Sequence, residues 1–170
     1  AARLRSITSS ATHPDQSVSD RYGLWRTAAA LWRDHPLTGV GPRNFAAHRD
    51  TYAPLGLSSG SDTEDPFNGY VRQELRSPHN HYLLVASEQG LAGICAFVGA
   101  LAMLLAGLVR HRNARDPLWL VSVAFVCWLL VDFCYSDLGG PTSVLVAVML
   151  GLAARAALPV RRARHVGSPA

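Results

Sequence analysis

Gly90-Leu-Ala-Gly-Ile-Cys-Ala-Phe-Val-Gly-Ala-Leu-Ala-Met-Leu-Leu-Ala-Gly-Leu-Val109 is a run of twenty residues without a charge, ended by Arg110-His111-Arg112. As a helix rising 1.5 Å per residue it covers the roughly 30 Å hydrocarbon core of a bilayer. Two further apolar stretches follow. Pro117 to Tyr135 carries only Asp132 near its end, with Trp119 and Tyr135 where interfacial aromatics lie. Leu138 to Val160 is broken only by Arg155, close enough to its end for the guanidinium to reach outward. The pattern predicts an all-α integral membrane protein with three transmembrane helices, the last two joined by a tight turn at Ser136–Pro141.

The charge distribution supplies the orientation. All sixteen basic residues are arginine, and the net charge is +4. Arg110, Arg112 and Arg115 accompany a single acid between the first two spans, and Arg161, Arg162 and Arg164 follow the third. Positive loops face the cytoplasm, which places residues 1–81 outside a bacterial cytoplasmic membrane. Those 81 residues hold nine arginines and eight acids, a nearly neutral balance. The excess basicity is therefore a topology signal rather than a nucleic-acid footprint, and no clustered basic patch or stacking motif points to nucleic acid. The expected organisation is an extracytoplasmic segment over 1–77, a transmembrane region over 78–160 and a basic tail over 161–170. Cys95, Cys127 and Cys134 lie in or beside the apolar stretches and read as small buried residues. The first residue is Ala1, and no signal-peptide pattern follows it, so the chain is expected to be the C-terminal part of a longer protein.

The outer segment begins with an aperiodic lead-in over 1–18. Ser19 or Asp20 can cap a helix through about Asp34, with Leu24, Trp25, Ala28, Leu31 and Trp32 on one stripe. Arg26 and Arg33 fall on the opposite face, whereas Arg21 shares the stripe with Trp25. Arg21 either stacks on Trp25 and reaches lipid headgroups or enters a pocket and binds an anion. Pro36-Leu-Thr-Gly39-Val-Gly41-Pro-Arg-Asn-Phe45 is a tight turn that sets a short helix at about Asn44 to Tyr52. No strand precedes its Gly-x-Gly and Pro42 lacks an amide, so it is not a phosphate loop. Residues 54–69, with Asp62, Glu64 and Asp65, read as a solvated loop without calcium-site spacing.

Ser77-Pro78-His79-Asn80-His81 carries the strongest functional signal. Ser77 as N-cap and Pro78 at the first helical position predict a helix running into the membrane, with His79 in its first turn. The positive helix end then disfavours a charge on the His79 ring, leaving it able to accept a proton. Leu83, Ala86, Gly90, Gly93 and Phe97 share its stripe, a small-residue face suited to another helix. His81 points away, and Glu88, nearly opposite His79, is expected to hydrogen-bond a neighbouring helix. By pattern alone His79 is either a hydrogen-bonded surface residue or a base.

Taken in order, Arg21-x-x-x-Trp25, Pro36-Leu-Thr-Gly39-Val-Gly41-Pro-x-Asn-Phe45, and His79-Asn80 followed by Gly90-x-x-Gly93 resemble the bacterial O-antigen ligase/polymerase family. The resemblance covers about residues 20–110. It implies a glycosyltransferase that takes a polyprenyl-diphosphate-linked glycan donor and an acceptor hydroxyl on a glycan, lipid or protein, without cofactor or metal. A ligase delivers the finished glycan to a lipid or protein, and a polymerase to another lipid-linked repeat. On this resemblance Arg21 binds the diphosphate through its planar fork, His79 positions or deprotonates the acceptor, and Asn80 contacts substrate or, more simply, orients the turn. Trp25, Gly39, Gly41, Gly90 and Gly93 are its structural motif. The family also uses an arginine from further upstream, with which neither Arg3 nor Arg5 is equated, so this chain alone is expected to be inactive. The competing expectation is a nonenzymatic membrane subunit of a lipid or polysaccharide transport system, anchored by Arg21. Only the enzyme requires Arg21 and His79 to converge.

Overall fold

A computed structural model describes residues 16–54, 57, 62–65, 69–72, 77–138 and 142–158. The lead-in with Arg3 and Arg5, the residues Gly139–Pro141 of the expected turn, and the tail with Arg161, Arg162 and Arg164 lie outside them. The elements are helix α1 (Gln16–Asp34), α2 (Phe45–Tyr52), strands β1 (Asp62–Asp65) and β2 (Gly69–Arg72), and helices α3 (His81–Arg110), α4 (Pro117–Asp132) and α5 (Thr142–Ala157). The architecture is helical, as the periodicity predicts, with one departure. Part of the segment read as a loop over 54–69 is instead an antiparallel hairpin, pairing Asp62 with Arg72 and Asp65 with Gly69. Four-residue strands are too short to announce themselves by alternation.

The described chain divides into two compact units, residues 1–97 with 132–137, and residues 98–131 with 138–170. In the first, α1 starts three residues before the expected cap and ends at Asp34 as expected. Leu24, Ala28 and Leu31 are fully buried against Phe45 and Leu57, with Val40, Tyr52, Leu83 and Leu84 around them. Thr27 lies on the same buried face because its hydroxyl donates to the Gly23 carbonyl at 3.0 Å, satisfying itself within the helix. Arg26 and Arg33 are exposed, as the pattern requires. Helix α2 matches the expected range and packs its Phe45 into this core. Tyr52 at its end hydrogen-bonds Asp34, whose carboxylate holds the phenol above its usual range.

α3 is not one helix. Gly90 has φ 64° and ψ −159°, a backbone region open essentially to glycine alone, and the helix breaks there. The turn after α1 fills the break. Val40 N–H donates to Ser87 O at 3.0 Å and Gly41 N–H to Glu88 O at 2.8 Å. Across the break, Leu91 N–H donates to Pro36 O at 2.7 Å and Ala92 N–H to Leu37 O at 3.3 Å. The carbonyls that end one helical piece and the amides that start the next thus pair with a single loop, which answers the orphan groups any helix terminus creates. This corrects the expectation that Gly90 and Gly93 form a smooth face for another helix. Gly90 admits loop backbone, and a Cβ at Gly93 would meet the Gln89 side chain across the break.

Residues 91–110 remain as an uninterrupted apolar helix of about 30 Å, and α3 is long and apolar enough to cross a membrane. α4 and α5 are apolar but have 16 residues each, about 24 Å. In the second unit Leu108, Val126, Ala153 and Ala157 pack together, and Trp119 Nε1 donates to Leu108 O at 2.8 Å. Met103, Val109, Leu120, Val121, Val144 and Leu145 are exposed, an apolar exterior suited to hydrocarbon rather than water.

Candidate functional site

The turn Ser77–Asn80 lies within the first unit. It does not begin a helix as the Ser77-Pro78 pair suggests. His79 adopts φ 49°, outside the helical region, and the helix starts at His81. The cap is Asn80, whose Oδ1 accepts from Leu83 N–H at 3.0 Å while its carbonyl accepts from Leu84 N–H. Asn80 therefore orients the turn. His79 stands before the cap, so the argument that placed its ring in the first helical turn does not apply. A left-handed conformation costs a non-glycine residue about 1–2 kcal/mol, so the surrounding contacts impose it.

Three elements provide those contacts. α1 contributes Trp25, whose Nε1 donates to Pro78 O at 2.9 Å, and Pro78 is fully buried. The segment after α4 contributes Phe133, whose carbonyl accepts from His81 N–H at 2.8 Å. The same segment contributes Asp137: Oδ2 accepts a short hydrogen bond from the Ser77 hydroxyl and lies 3.9 Å from His79 Nδ1. The other carboxylate oxygen, Oδ1, is buried without a hydrogen-bond partner among the described residues. The His79 side chain is 47% exposed and the Asp137 side chain 12%. One ring is thus open to a reactant on one side and faces a sheltered carboxylate on the other.

Arg21 sits one helical turn before Trp25, about 6 Å along α1. It is exposed and pairs with no carboxylate among the described residues. The hydrogen bond from Trp25 to Pro78 joins α1, four residues after Arg21, to the turn that carries His79. The His81 ring packs against Phe97 and Phe133, each 5.0 Å between centroids, with Tyr82 joining the cluster. It is part of the packing behind the site.

Glu88 is 8% exposed and accepts from Arg43 N–H at 2.8 Å and from Phe45 N–H at 3.0 Å. The expected bond to a neighbouring helix is the one to Phe45, the first residue of α2. Asn44 makes no side-chain cap bond there, so Glu88 stands in as the cap from a distant part of the chain. Gly39 and Gly41, with φ of 65° and 97°, shape the loop that Glu88 clamps. The residues that the sequence does not single out are Ser77 as a partner and Asp137. An acid in the short turn that follows an apolar span, on His79's expected side of the membrane, was the available signal. Among the described residues no cluster of three or more His, Cys, Asp or Glu side chains forms.

A family model described as O-Antigen ligase matches residues 1–98, which include Arg21, Trp25, Gly39, Gly41, His79, Asn80, Gly90 and Gly93. No curated protein and no solved structure matches the chain.

Proposed function

Because this chain belongs to the O-antigen ligase family, we propose that it forms part of a membrane glycosyltransferase that moves a polyprenyl-diphosphate-linked glycan to an acceptor hydroxyl outside the cytoplasmic membrane. The observation that carries the reading is the Trp25 to Pro78 hydrogen bond, which ties α1, four residues after Arg21, to the turn of the half-exposed His79. In the reaction the acceptor oxygen forms a bond to the anomeric carbon while the bond from that carbon to the diphosphate oxygen breaks. His79 takes the hydroxyl proton, and Arg21 binds the leaving diphosphate as its charge grows. Asn80 serves by holding the turn, as the helix cap.

The resulting topology has three crossings, with the arginine clusters inside and residues 1–81 outside. α4 and α5 cross with the help of flanking residues or local thinning of the bilayer, since 24 Å falls short of the core by only about one turn. Single cysteines at Ser59 and Ala114, placed in a full-length parent lacking its native cysteines, are expected to react with a membrane-impermeant thiol reagent from opposite sides. Labelling of both from outside would overturn the orientation and the catalytic reading with it.

The test of the arginine is Arg21→Lys in the full-length parent. A point charge cannot reproduce a bidentate fork, and a hydrogen bond to a charged group contributes about 1.5–3 kcal/mol. Transfer should fall about 10–100-fold, with Arg26→Ala, on the exposed face, near the parental rate. Equal tolerance of both substitutions at normal protein levels would make Arg21 a headgroup anchor.

A further inference from the structure

Resting on the reading of His79 as the base, we propose that Asp137 is its positioning residue, fixing the tautomer of the imidazole and stabilising the imidazolium that forms during transfer. Asp137 lies beyond the residues that the family model matches. Three observations support the assignment. Oδ2 faces His79 Nδ1 at 3.9 Å. The Ser77 hydroxyl holds that same oxygen, so the carboxylate cannot swing away. Oδ1 is buried with no partner among the described residues, an arrangement that costs stability and persists where a functional task retains it. Asp132, five residues earlier, accepts instead from the Ser136 hydroxyl.

An approach of roughly 1 Å brings Nδ1–H into hydrogen-bond range of the carboxylate. With Nδ1 as donor, Nε2 is the free acceptor. The acceptor hydroxyl's proton passes to Nε2 as its oxygen bonds the anomeric carbon and the diphosphate leaves with the electron pair. The positive imidazolium then stands beside the Asp137 carboxylate and returns its proton to solvent, to which the ring is half open. His81 also feels the Asp137 charge, but its ring lies between Phe97 and Phe133.

The experiment uses the full-length protein in nanodiscs with a polyprenyl-diphosphate-linked glycan and an acceptor. Asp137→Asn keeps the size of the side chain and removes its charge. It is expected to lower kcat about 100-fold and to leave the donor KM within about twofold. In a His79→Ala background the same substitution should cost nothing further, because a positioning residue acts only through the group it positions. Ser77→Ala should lower kcat a few-fold by loosening the carboxylate. A parental kcat for Asp137→Asn beside a slow His79→Ala, or additive losses in the double variant, would overturn the proposal while sparing the base assignment. A parental rate for His79→Ala would instead remove the base assignment itself. Should the Asn variant not be recovered from membranes, Asp137→Glu takes its place. A kcat between the parent's and that of His79→Ala is then expected, and a parental kcat overturns the proposal.

Discussion

Replacing His79 by alanine in the full-length protein is expected to slow glycan transfer by about 10²–10⁴-fold, the contribution a positioned general base makes. Expression, membrane insertion and donor binding should stay close to the parent's. The side chain is half open to its surroundings and its ionic neighbour among the described residues is Asp137, so truncation removes little packing. The turn itself is held by the Trp25 to Pro78 and His81 to Phe133 bonds, neither of which involves the imidazole. Histidine 81 supplies the contrast. Its ring is packed against two phenylalanines, so His81→Ala should lower thermal stability more than it lowers the rate of the protein that remains folded. Transfer should also continue in a strong chelator, since arginine is assigned to the diphosphate. A His79→Ala variant working at the parental rate would remove the histidine from the chemistry.

Gly39→Ala and Gly90→Ala are each expected to destabilise the protein by at least about 4 kcal/mol, combining a left-handed backbone with lost and unsatisfied hydrogen bonds. A Cβ on Gly39 would lie 2.3 Å from the Glu88 carbonyl carbon, and one on Gly90 2.4 Å from the Leu37 carbonyl carbon. Both obstacles are backbone, so neither can be relieved by a rotamer change. The loop must withdraw from the break, and the amides of Val40, Gly41, Leu91 and Ala92 then lose their partners. Gly99→Ala and Gly151→Ala provide the internal standard, because a Cβ at either meets nothing within 4 Å. Alanine is the better helix former by about 1 kcal/mol, so those variants should match or exceed the parent in thermal unfolding. Equal melting of Gly39→Ala and Gly99→Ala would mean that the loop is not seated in the helix.

What could be read from the sequence followed from local rules. The end of α1 at Asp34 is announced by Pro36 and Gly39, and α2 by the turn before it. The break at Gly90 was hidden because glycine is common in membrane helices and the apolar run continues past it without a polar residue. Its cause lies fifty residues away, in a loop whose own sequence says only that it turns. The start of α3 was misplaced because Ser77-Pro78 and Asn80 are both adequate caps. Burial of Pro78 under Trp25 and the bond from His81 N–H to the Phe133 carbonyl decide between them, and neither is local. The same holds for the site. Arg21 and His79 could be singled out by residue type and order, but Asp137 became visible only when the chain after α4 returned to the turn.

The account's central claim is that a diphosphate held near Arg21 leaves as a hydroxyl is activated at His79. The most direct measurement follows polyprenyl diphosphate release and donor affinity together, using the full-length protein with purified lipid-linked glycan and acceptor. The parent should release one polyprenyl diphosphate for each glycan transferred. Arg21→Lys should weaken donor affinity and release alike, whereas His79→Ala should bind donor as the parent does and release almost none. Release that persists in both variants, or donor affinity that depends on His79 and not on Arg21, would contradict the account.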